Sequence, residues 1–96
     1  MSLTRHDNHF LADTARVIGD VRIGDDVSFW YGAAVRGDVA PVVIGQGTNV
    51  QDNAVIHCDF AYANVIGSYV TIGHNALVHG ECVGDGTLIG MGAIVL

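Results

Sequence analysis

The sequence predicts an all-β chain wound as a parallel β-helix of hexapeptide repeats. Aliphatic residues recur every six positions over most of its 96 residues. Glycine often follows the aliphatic position, and a small or branched residue sits four places further on. An α-helix gives a period of about 3.6 and a half-buried strand one of about 2, so neither explains the pattern. A short strand plus a turn, repeated, does.

Residues 1–11 lack the hexad pattern and read as a lead-in to a β-helix over 12–96. The repeat then runs through Ile23-Gly24-Asp25-Asp26-Val27-Ser28 to Phe29 and Val35. Ile44-Gly45-Gln46-Gly47-Thr48-Asn49 leads to Val50 and Ile56, and Ile66-Gly67-Ser68-Tyr69-Val70-Thr71 leads to Ile72-Gly73 and Val78. Val83-Gly84 leads to Ile89-Gly90-Met91-Gly92-Ala93-Ile94 and Val95. Three hexads make one triangular coil of about 18 residues, and coils stack at the strand spacing of about 4.8 Å. The aliphatic and small positions both face inward, the latter being Val21, Val27, Ala33, Thr48, Ala54, Val70, Ala76, Cys82, Thr87 and Ala93. Glycines let the backbone turn the corners, positive φ included. Phe29, Trp30 and Tyr31 read as packing at a corner or an interface. A small β-sandwich is the competing architecture, but it gives no reason to hold a six-residue phase for about 75 residues.

The phase slips three times. Val35 to Ile44 is nine positions, so three residues loop out around Arg36-Gly37-Asp38. Ile56 to Ile66 is ten, so four loop out around Cys58 to Asn64, and Val78 to Val83 is five. Insertions in solenoids collect on one face and often line the binding surface.

Composition narrows the function classes. Half the residues are apolar and 15% are charged, which excludes disorder. Thirteen glycines against one proline exclude collagen and proline-rich linkers. Four basic against ten acidic side chains, a formal charge of −6, argue against nucleic acid and anionic membranes as partners. There is no apolar run of about 18 residues to span a bilayer, and the first residues lack the apolar core of a secretory signal. Cys58 and Cys82 form neither a disulfide framework nor a CxxC motif. They read as reduced thiols, and the chain as cytoplasmic.

Of five histidines, His6 and His9 precede the repeats and read as ordinary surface residues. His57 follows Ile56, and His79 follows Val78 at the same position of another repeat. Removing the four looped-out residues leaves one full coil between them, so they stack on adjacent rungs about 5 Å apart. His74 lies on the preceding face, five residues from His79, a reach of about 16 Å at most. With Zn–N bonds of about 2.0–2.1 Å, one ion does not gather all three from one chain. In a trimer of triangular prisms, His57 and His79 of one subunit meet His74 of the next. Three histidines with an open fourth position are a catalytic rather than a structural arrangement. The ion brings the pKa of its bound water to about 7.

Val35-Arg36-Gly37-Asp38, Asn49-Val50-Gln51-Asp52, Val55-Ile56-His57 and Ile72-Gly73-His74-Asn75-Ala76-Leu77-Val78-His79-Gly80 together resemble the gamma-class carbonic anhydrases and the carnitine-operon and phenylacetate-operon proteins related to them. The resemblance covers about residues 12 to 96. It implies a homotrimeric, left-handed β-helix with zinc (or iron or cobalt) between subunits. The implied activity is reversible hydration of CO2 to bicarbonate by a metal-bound hydroxide. It assigns His57, His74 and His79 as metal ligands, Gln51 to orienting the hydroxide and Asn49 to lining the CO2 pocket. Arg36, Asp38 and Asp52 match an ion-pair group at the subunit interface.

The sequence also departs from that family. Well-known members carry an acidic loop with a proton-shuttling glutamate, whereas here Asp59 is the sole acid between Cys58 and Val65. The sole glutamate, Glu81, follows His79-Gly80 and is the candidate substitute. The family continues into further coils and a C-terminal helix, so a chain stopping at Ile94-Val95-Leu96 reads as truncated. Two other functions share the fold: a hexapeptide acyltransferase with a histidine general base, and a metal-containing accessory trimer without turnover.

Overall fold

The computed structural model describes residues 1–96, and every regular element in it is a strand. Strands β1 (Leu3–His6) and β2 (His9–Ala12) form an antiparallel hairpin, turned through Asp7 at φ 55°. All later pairings are parallel. Strand β2 stacks on β4 (Ser28–Phe29), so the first coil already includes Phe10 and Leu11. The stack continues through β6 (Asn49–Val50), β9 (Thr71–Ile72) and β12 (Leu88–Ile89), which complete one sheet.

The second sheet wraps two faces of the prism. Its long strands, β3 (Arg16–Ile23) and β5 (Ala34–Ile44), bend round a corner. One half of β5 pairs with β7 (Val55–Ile56), followed by β10 (Leu77–Val78) and β13 (Ile94–Val95). The other half pairs with β8 (Asn64–Ile66), followed by β11 (Cys82–Val83). The result is a left-handed β-helix of about four turns.

The hexad positions fill its interior. Phe29, Val50 and Ile72 stack on one face, Val35, Ile56 and Val78 on the next, and Ile44 and Ile66 on the third, all nearly or fully buried. The small positions Val27, Ala33, Thr48, Ala54, Val70 and Ala76 fill the space between them. Cys82 departs from its expected inward place. The five-residue spacing from Val78 to Val83 shifts the alternation by one, which sends a strand side chain to the opposite face. Cys82 thus aligns with outward Val65 and is exposed.

Corner chemistry also differs from expectation. Asp26, Gly47, Tyr69 and Gly86 repeat a left-handed conformation at one corner, and Gly32, Asn53, Asn75 and Gly92 at another, with φ from 56° to 75°. Half of these positions are not glycine. Gly24, Gly45, Gly67 and Gly73, which follow aliphatic positions, are needed for space instead. A Cβ on Gly45 would lie 2.6 Å from the backbone of Gly67 on the next coil.

At the third corner, β3 and β5 stay in register to Gly19↔Gly37 and resume at Val21↔Val42. Asp20 therefore faces the stretch from Asp38 to Pro41. The three extra residues form a bulge within a continuous strand, rather than looping out around Arg36-Gly37-Asp38. The insertion after Ile56 does loop out, over residues 57–63, before Asn64 rejoins the sheet. No helix is long and apolar enough to cross a membrane.

Candidate metal centre

The bulge, the 57–63 loop and the tight turn after Val78 all fall at this one corner. There the Leu77↔Val55 and Val78↔Ile56 register brings His57 alongside His79. Backbone hydrogen bonds fix both rungs: the His57 N–H donates to the Val78 carbonyl at 3.1 Å and the His79 N–H to the Val95 carbonyl at 2.7 Å. The imidazole centroids are 5.5 Å apart, with the planes tilted by 35°.

Each ring has a carboxylate beside Nε2. The Nε2–H of His57 donates to Asp38 Oδ1 at 2.9 Å. Arg36 Nη2 stands 3.3 Å from both ring nitrogens of His57, and Arg36 Nε is 3.8 Å from Asp38 Oδ2. The hydrogen bond from His57, helped by the Arg36 charge, holds the Asp38 carboxyl below the usual carboxylate range against an opposing desolvation cost. Asp59 Oδ1 is 3.0 Å from His79 Nε2, but off the direction of a hydrogen bond. That nitrogen is buried and makes no hydrogen bond. A cleft of about 390 Å³ opens beside it, lined by Asp59, Tyr62, Glu81 and Cys82 among others.

His74, Gln51 and Asn49 belong to the preceding face. His74 follows β9, half-exposed, with Nδ1 3.6 Å from Asp52 Oδ1. Gln51 Nε2–H donates to Asn49 Oδ1 at 3.0 Å. Within one chain the predicted ion-pair group divides, Arg36 and Asp38 standing beside His57 while Asp52 stands beside His74. No three His, Cys, Asp or Glu side chains of a single chain converge on a common point.

Sequence reasoning missed Asn64, whose Nδ2–H donates to the His57 carbonyl at 2.9 Å and closes the loop. A signal existed: Asn64 aligns with buried Val42 in an otherwise aliphatic column. Imidazole nitrogens are donors of the kind a zinc ion takes, and within one chain no third ligand joins the pair. Two imidazoles converge on adjacent rungs, and one has a buried nitrogen without a hydrogen-bond partner. Buried polar atoms are ordinarily paired, and an orphan calls for an explanation such as a missing ion.

No protein-family profile matches the chain. It is 48% identical over 85 residues to "Probable carbonic anhydrase" of Methanocaldococcus jannaschii, covering 88% of this chain and 54% of that protein. It is 50% identical over 93 residues to "Gamma carbonic anhydrase 1, mitochondrial" of Arabidopsis thaliana, covering 91% of this chain and 34% of that one. The chain thus spans between a third and about half of these relatives. Among solved structures, a hexapeptide transferase family protein from Anaplasma phagocytophilum superposes with a TM-score of 0.71 at 36% identity. That superposition covers 94% of this chain and 67% of the other.

Proposed function

The chain belongs to the gamma-class carbonic anhydrase-like family of hexapeptide-repeat proteins, and on that premise we propose that it hydrates CO2 reversibly at a metal site shared between subunits of a homotrimer. The observation that supports the proposal is the stacking of the His57 and His79 imidazoles on adjacent rungs, with ring centroids 5.5 Å apart. These two imidazoles supply two ligands. His74, exposed on the preceding face, supplies the third from the neighbouring subunit, the contact between faces also bringing Gln51 and Asn49 to the site. A bound zinc, iron or cobalt ion lowers the pKa of water towards neutrality and so makes a hydroxide nucleophile available.

The chain's own residues do the positioning. Asp38, paired with Arg36, grips the His57 ring. Asn49 holds Gln51, whose carboxamide is placed to orient the nucleophile, and Asn49 lines the CO2 pocket. Asp59 and Glu81, on the cleft beside His79, are the carboxylates available to carry protons to solvent. Arg36, Asp38 and Asp52 fix the register between subunits by charge pairing.

Metal content and stopped-flow CO2 hydration on one sample test this reading. About one ion per chain, lost in His74→Ala together with hydration, is the expected result. Metal without turnover would identify an accessory protein. The transferase name of the Anaplasma relative favours a second reading, acyl transfer with a histidine general base. A metal-free trimer active in acetyl transfer would establish that reading and overturn the first.

A further inference from the structure

Resting on the reading above, we propose that Thr71 is a positioning residue, the anchor of a side-chain relay that fixes the direction of the Gln51 carboxamide. Gln51 Nε2–H donates to Asn49 Oδ1 at 3.0 Å, and Asn49 Nδ2–H donates to Thr71 Oγ1 at 3.1 Å. Asn49 and Thr71 are register partners on β6 and β9, so their side chains stand side by side on the same face.

No other member of the column makes a hydrogen bond to the Asn49 side chain. On the other side its register partner is Ser28, whose hydroxyl already accepts Trp30 Nε1–H at 3.0 Å. Beyond Thr71 comes Leu88, with no polar side-chain atom. Thr71 is therefore the last hydrogen-bonding member of the column. Its β-branched side chain is stiff at χ1, so the backbone of β9 dictates where the hydroxyl sits. That hydroxyl settles Asn49, and Asn49 settles Gln51. With Nε2 committed, Gln51 offers Oε1, a pure acceptor. An acceptor suits a group that must receive a hydrogen bond from a hydroxyl or water nucleophile. A carboxamide free to rotate would present its NH2 end as readily.

Two variants test the relay. Thr71→Val keeps the shape and removes the acceptor, while Thr71→Ser keeps the hydroxyl. Nitrogen-15 NMR of the side-chain NH2 groups reads the relay directly, without turnover. In Thr71→Val the Asn49 and Gln51 signals move to the positions of freely exchanging carboxamides, and in Thr71→Ser they stay in place. In the metal-loaded protein, Thr71→Val lowers kcat for CO2 hydration up to about tenfold, the weight of one hydrogen bond, with KM little changed. Unaltered carboxamide signals in Thr71→Val, or their loss in Thr71→Ser as well, would overturn the proposal. A wild-type protein that hydrates no CO2 would sink the functional reading alone, because the NMR comparison still decides the relay.

Discussion

Two polar side chains, Thr48 and Asn64, are sealed inside an aliphatic prism, and their bonding differs. Thr48 is satisfied in both directions, donating to the Gly67 carbonyl at 2.8 Å and accepting the Val70 N–H at 3.1 Å. Asn64 ties the His57 carbonyl through Nδ2, while its Oδ1 has no partner. Asn64→Leu removes the orphan oxygen but strips the His57 carbonyl of its side-chain donor, which costs about 1–3 kcal/mol. The variant should melt several degrees lower and bind metal more weakly. An unchanged melt with full metal content would show that loop closure does not depend on Asn64. The hairpin holds a titrating feature. His9 lies edge-on to fully buried Phe29, with centroids 6.0 Å apart. Burial first, then the neighbouring His6, pushes its pKa below the ordinary imidazole value, and Asp7 pulls the other way. The unfolded chain, with an ordinary pKa of about 6.5, then binds the proton more readily than the folded one. Stability from this group is full above that value and falls as pH drops towards the lower folded pKa. Melting temperatures measured from pH 8 to 5 should decline less steeply in His9→Phe than in the wild type. Parallel declines would remove His9 as a cause.

Among the elements, the insertion corner holds the stacked His57–His79 pair, and its backbone is the tightest feature there. Gly19 and Gly37 face each other just before the register between β3 and β5 slips. A Cβ on Gly37 would stand 2.1 Å from the Asp20 carbonyl oxygen, a backbone atom that cannot swing aside. Gly37→Ala must therefore separate the two strands between Arg36 and Asp38, at an overpacking cost of about 1–3 kcal/mol. The expected result is a lower melting temperature together with loss of the Asp38 grip on His57, read as weaker metal binding. A variant that melts and binds like wild type would mean that the strands part without disturbing the site. This corner also marks how far the sequence was legible. Hexads were readable because the inward positions, Phe29 and Asn64 apart, hold aliphatic or small side chains, and a one-residue error would turn the whole set outward. The His57–His79 stacking followed from that count and the four-residue insertion. The same counting failed at Cys82, where a one-residue shortening reverses the alternation. It also failed at Asp38 to Pro41, because spacing alone does not separate a bulge from a loop. The place of Asp59 beside His79 had no periodic signature, since loop conformation depends on closure rather than on the repeat.

For the whole molecule, the decisive question is whether ligands from different copies share an ion. One prism sets His57 and His79 on one face and His74 on another, with no three donors converging within a chain. A site split between subunits has a consequence that a site inside one chain does not. His74→Ala keeps the stacked pair, and His57→Ala keeps His74, so each lacks what the other has. Unfolded together, mixed in equal amounts and refolded, the two form trimers with random neighbours. About a quarter of the interfaces would then join an intact His57–His79 pair to an intact His74, because in the proposed cyclic trimer the contact is head-to-tail and each side is drawn independently. The mixture should recover about that fraction of wild-type metal, while each variant refolded alone recovers almost none. Circular dichroism should show the β-helix of both variants intact, since neither histidine belongs to the buried core. Recovery of CO2 hydration should track recovery of metal. If mixing restores neither, the ion is held within a single chain or not at all, and the shared site is wrong.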